Sequence, residues 1–183
     1  MYNKVKLRFT INYIFVFIPS IFNILFASPQ SVYCMYQFVN SSNIQLKPDE
    51  EACISELKLN KTEIKNINTR DIFPENNSHF NAFINCYWKR MGWQNSKGEI
   101  NYIGLKIFMQ DEVVRDVETD NTAALSLLKQ MMVGSIEECE RFPPVYDINN
   151  DSHGKIVVKV QNCIIKNFHE VMKEYVYLLT NIL

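Results

Sequence analysis

The chain is short of the residues that break or bend a backbone: its 183 positions hold only 5 glycines and 6 prolines. That scarcity excludes collagen-like and low-complexity material, and it leaves no glycine-rich loop to cradle a phosphate. An excess of charge of one sign is also missing. The 19 basic and 20 acidic side chains leave a net −1, so there is no electrostatic footprint for DNA or RNA and no nucleic-acid partner is expected. Only three histidines occur, His79, His153 and His169, and none forms the His-Glu-x-x-His pair of a zinc site. Cys-x-x-Cys, Gly-x-Ser-x-Gly and the calcium-loop pattern are absent too. The chain therefore reads as a non-enzyme, and no cofactor or metal is expected. What is plentiful is apolar: 47% of the residues are hydrophobic and 13% aromatic, which is incompatible with a disordered chain. The length suits one domain, and no repeat or linker divides it.

Residues 1–27 contain no acidic side chain, and Lys4, Lys6 and Arg8 precede the apolar run INYIFVFIPSIFNILFA. A basic start followed by an apolar stretch is the pattern of a secretory signal peptide. Pro19, interrupting the run, argues against a membrane anchor. Cleavage is expected after Ala27 or as late as Cys34. The organisation read from this is a signal peptide over 1–27, an N-terminal extension over 28–46 and one helical domain over 47–183. Removing three basic residues leaves 16 against 20 acidic ones, a net −4. The expected product is extracellular, with no stable membrane insertion after cleavage. Four sequons, beginning at Asn40, Asn60, Asn76 and Asn150, fit that compartment.

The domain reads as all-α, because no stretch sustains the period-two alternation of a strand while several show helical spacing. Pro48 followed by Asp49, Glu50 and Glu51 marks a helix start. Asn60 with Glu63 predicts a capped second helix. Residues His79 to Met91 put Phe80, Phe83, Ile84, Tyr87, Trp88 and Met91 on one face, with Gly92 as the stop. Beyond a polar turn at Gln94–Gly98, Tyr102, Leu105 and Met109 share a face. Asp120 or Asn121 is expected to cap a helix through Cys139, in which Leu125, Leu128, Met132 and Ile136 recur helically. Phe142–Gly154 reads as a loop. Residues 155–183 then carry a long stripe of Val157, Val160, Ile164, Phe168, Val171, Tyr175, Leu178 and Ile182.

Five cysteines remain. In an oxidising compartment they are expected to pair, and the four in the domain allow three connectivities that spacing does not distinguish. Cys53 falls in the first helix, Cys86 in the third, Cys139 near the end of the fifth and Cys163 in the last. At this point the chain resembles the insect odorant-binding proteins, the pheromone and general odorant-binding family. That family has six cysteines, with three residues between the second and third and eight between the fifth and sixth. Set on this pattern, Cys53, Cys86, Cys139 and Cys163 take the first, third, fourth and sixth positions. Ala82 then stands at the second and Gly154 at the fifth. Those two are bonded partners in the family, so the chain resembles its minus-C subgroup. The segments ACISELKLNKTEI and CYWKRMGWQNSKGEI support the likeness over residues 45–170. A departure is the span of 52 residues between Cys86 and Cys139, whose surplus is placed at Gln110–Asn121.

The resemblance implies a six-helix domain enclosing an apolar cavity, with the pairs Cys53–Cys86 and Cys139–Cys163. It implies a secreted carrier of small hydrophobic molecules, with a chemosensory receptor or a second copy as further partners. Carried over from the family's arrangement as ligand contacts are Tyr102, Leu105, Met109, Met132, Val133 and Val158. Helical faces alone add Trp88, Met91, Trp93, Ile164 and Phe168. Tyr102 and Tyr175 are the candidate polar anchors, because a phenol joins an apolar body to a hydroxyl. With a third bridge absent, the start of the last helix is expected to be held by packing alone, and His153 to loosen it on protonation. The bland reading of each apolar residue is core filling. The competing function is a secreted helical interaction protein or effector with no ligand cavity.

Overall fold

A proline at the first helical position gives up no hydrogen bond, and Pro48 opens α1 (Pro48–Glu56) with three acidic residues in its first turn. The computed structural model describes residues 46–68, 70, 72–111, 122–147 and 150–182. The expected signal peptide and extension, Cys34 and the sequon at Asn40 lie outside them. Asn60 caps α2 (Lys61–Asn68), its Oδ1 accepting from the Thr62 and Glu63 amides at 2.9 and 3.2 Å. The Glu63 carboxylate accepts from Asn77 Nδ2 at 3.3 Å. Asn77 caps α3 (Ser78–Arg90), its Oδ1 accepting from the Phe80 amide at 2.8 Å. The helix thus begins one residue before the predicted His79 and gives way at Gly92, whose φ of +71° suits glycine.

The polar turn that follows is closed by a single antiparallel bridge between Gln94 and Ile100, with Gly98 at φ +87°. Asn101 Oδ1 accepts from the Gly104 amide at 3.0 Å and starts α4 (Tyr102–Asp111). Gln110 and Asp111 continue this helix; the rest of the expected insertion, and the expected caps Asp120 and Asn121, lie outside the described residues. The fifth helix, α5, covers Thr122–Arg141. The last, α6 (His153–Ile182), begins two residues earlier than its stripe suggested, because Ser152 Oγ accepts from the Lys155 amide at 3.2 Å. The predicted loop therefore ends at Ser152 and not at Gly154.

These are six helices among the described residues, as the all-α reading has it. None is long and apolar enough to cross a membrane. Helix α6 packs against α3 and α5, α5 also against α4, and α3 against α1 and α2. The core is their common interior, where Phe80, Phe83, Leu105, Ile136, Val157, Val158 and Val160 are enclosed. Along α6 the buried stripe runs through Val157, Val160 and Ile164 as expected. It then turns to Met172 and leaves Val171 exposed. The side chains of Leu178 and Ile182 fall outside the described residues.

Two disulfides fasten this arrangement. Cys53–Cys86 ties α1 to α3 with Cα atoms 5.9 Å apart, and Cys139–Cys163 ties α5 to α6 at 6.0 Å. Arg90 pairs with Glu56 beside the first bridge, and Lys106 joins α4 to Glu140 of α5 at 2.9 Å.

Candidate ligand-binding site

Aromatic residues four and three apart on α3 face inward together, and the turn after Gly92 folds Trp93 back onto them. Phe83 and Tyr87 stack at 6.3 Å. Trp93 meets Tyr87 and Trp88 edge-on at 5.6 and 5.8 Å. It also meets Phe108 of α4 at 4.5 Å between ring centroids. Such edge-to-face contacts suit rings whose faces are negative and edges positive. The Lys47 ammonium lies 5.1 Å over the outer face of Phe108.

Eight of the predicted ligand contacts belong to the wider hydrophobic core of which these rings are part. Trp88, Trp93, Leu105, Val158 and Ile164 are buried in that core, and Met91, Tyr102 and Met109 pack against it from half-buried positions. Leu105 and Val158 are enclosed by neighbours on every side, at 1% and 0% exposure. Met132 and Phe168 are half-buried and stand apart from the cluster. Val133 lines a different cleft, with Gln110, Ser126, Lys129, Gln130 and Glu137 between α4 and α5. Phe108 was missed by the sequence reading. It follows Leu105 by one turn, but the stripe through Met109 drew attention to the adjacent row.

The two candidate anchors differ. Burial pushes the Tyr102 phenol up to about 12, with Tyr146 and Glu140 adding to the effect. Tyr175 is raised by burial as well, and its hydroxyl is buried with no hydrogen-bond partner. The three histidines stand on separate elements: His79 beside Glu63 at 3.5 Å, His153 beside Lys89 at 3.5 Å and His169 beside the Phe168 ring.

A model of the PBP/GOBP family matches residues 36–167. The chain belongs to the PBP/GOBP family. Neither the curated proteins nor the solved structures compared with it gave a match. PBP/GOBP proteins are small odorant-binding carriers, soluble and secreted. The matched stretch contains all four cysteines of the two bridges and stops short of Phe168 and Tyr175.

In this PBP/GOBP chain Ala82 and Gly154, which the sequence resemblance sets at the second and fifth cysteine positions, line one cleft between α3 and α6. A Cβ built on Gly154 would fall 1.9 Å from the Asn81 carbonyl oxygen, so the two helices touch backbone to backbone there. The expectation that packing alone holds the start of α6 is corrected. Gln94, at 3% exposure, donates from Nε2 to the carbonyls of His153 and Gly98, each at 3.1 Å. The His153 ring sits so close to Gly98 that a Cβ there would lie 2.6 Å from it. Asp151 accepts from Lys159 and Lys155 at 2.6 and 2.9 Å. These two ammonium groups hold its carboxyl well below the usual carboxylate range. Spacing could not reveal the Gln94 link, which spans 59 positions.

Proposed function

We propose that the chain is a secreted carrier that binds small hydrophobic molecules, such as odorants or pheromones, for chemosensory transport. The observation that carries this is the packing of half-buried Met91, Tyr102, Phe108 and Met109 on the core that holds Trp88 and Trp93, in a chain of a carrier family. Such side chains offer polarizable, adaptable contacts and little hydrogen bonding, which suits an apolar guest. The guest would seat against these half-buried side chains while Leu105, Val158 and Ile164 form the wall behind them. Tyr102, packed on the same core, would orient a guest seated there. Tyr175, whose hydroxyl has no partner, would do so only for a guest reaching the separate stretch of α5 and α6 that carries Phe168 and Met132.

The test is displacement of a fluorescent apolar probe by small hydrophobic molecules at micromolar concentration, with the emission of Trp88 and Trp93 as a second readout. Displacement with a change in tryptophan emission is the expected result. The competing interaction protein has its own observation, the exposed Ile103, Ile107, Phe142 and Val145. Absence of probe binding together with an intact fold would favour that reading.

A further inference from the structure

Three sequons fall among the described residues, and the structure treats their asparagines differently. Asn60 Oδ1 caps α2. The Asn150 side chain donates to the Asp147 carboxylate. Asn76 is exposed in the turn before α3, and no described neighbour engages its amide. Its sequon is completed by Asn77, the cap of α3, and by Ser78, the exposed first residue of that helix.

The same turn forms one wall of the cleft at Ala82 and Gly154. This cleft has a volume of about 490 Å³, within the range of roughly 300–1,000 Å³ usual for small-molecule sites. Polar residues, Glu75, Ser78, Asn81, Asn85, Ser152 and Lys155, stand around the two small ones, with carbon making up most of the exposed wall between their polar ends. Asn81 is 9% exposed, and its Nδ2 donates to the Glu75 carbonyl at 2.9 Å. The other polar groups of the wall, Glu75, Ser78, Ser152 and Lys155, suit a guest with hydrogen-bonding groups of its own better than a hydrocarbon. A sugar ring supplies hydroxyl donors on several sides and accepts from Lys155 and the serines.

We propose that Asn76 carries an N-linked glycan whose first sugar lies in this cleft and spans α3 and the start of α6. The inference rests on secretion, as the proposed function does. The linkage forms when Asn76 Nδ2 attacks the anomeric carbon of a sugar carried on a lipid pyrophosphate. The N–C bond forms, the C–O bond to pyrophosphate breaks, the lipid pyrophosphate leaves, and one Nδ2 proton passes to solvent. No electrons are exchanged with an outside partner. The sugar then stands where the family's second and fifth cysteines would be joined.

The full chain, expressed in insect cells and recovered from the medium, tests this by intact mass and peptide mapping. A glycan mass on the peptide containing Asn76, absent in both Asn76→Gln and Ser78→Ala, is the expected result. Secreted protein with Asn76 bare overturns the glycan and leaves secretion standing; a chain retained in the cell with its first 27 residues uncut and Asn76 bare overturns both. Seating in the cleft is read by hydrogen exchange. Amides from Lys155 to Val160 should exchange several-fold more slowly in the glycosylated protein than in Asn76→Gln, and equal rates would overturn the seating.

Discussion

Asn162 lies on α6 at 3% exposure and holds both ends of one peptide unit: its Oδ1 accepts from the Phe73 amide at 2.8 Å and its Nδ2 donates to the Phe73 carbonyl at 2.9 Å. This pins the segment between α2 and α3 to the last helix. Asn162→Leu would strand two buried backbone groups, each costing about 1–3 kcal/mol. A loss of about 2–4 kcal/mol is expected in urea unfolding, with α6 still helical by circular dichroism. Tyr175 is the opposite case, a buried hydroxyl with nothing to bond. Tyr175→Phe is expected to raise stability by about 1 kcal/mol while weakening hydroxyl- or carbonyl-bearing ligands more than pure hydrocarbons in the displacement assay. A loss of stability would mean that the phenol is already satisfied. Tyr175 was among the anchors read from the sequence, whereas the Asn162 clasp was not legible there. Asn162 looks like a polar residue off the stripe, and its partner lies 89 positions away.

At the scale of elements the sequence was far more readable. Amphipathic spacing, with the Asn60 cap for α2, signalled α1, α2, α3 and α6, because such signals are local. Asn60 acts within three residues of itself, though the like cap of α3 at Asn77 went unread. What escaped was how one element meets another. Phe108 and Met109 are neighbours on α4, and only the position of Trp93 decides which of them stacks. The link from Gln94 to the start of α6 likewise depends on a turn folding back. The disulfides tie elements directly, and their sequence separations are 33 and 24 residues. Loops of that length imply about 3.5 kcal/mol apiece in the chain-entropy account. Cys53→Ser with Cys86→Ser, and Cys139→Ser with Cys163→Ser, should each lower the unfolding free energy by about that amount. The first pair should free α1 from α3 in hydrogen exchange, and the second should free α5 from α6.

The molecule as a whole is bounded in pH at both ends by groups already described. Asp151 has its folded pKa below the unfolded value, so its contribution is present above about pH 4 and is lost as acid protonates it. Tyr102 is raised to about 12, so its contribution is complete below about pH 10 and is lost as pH climbs through 12. Urea midpoints measured across the range should fall at both limits. Asp151→Asn should flatten the acid limb and Tyr102→Phe the alkaline one; an unchanged acid limb in Asp151→Asn would show that other carboxylates govern it. One contact also sets what position 154 can hold. Where α3 and α6 touch through Gly154 and the Asn81 carbonyl, the space that any side chain at 154 would need is already taken by backbone. A cysteine put there would meet that carbonyl before it met a partner at 82, so a bridge between the two positions requires the helices to part first.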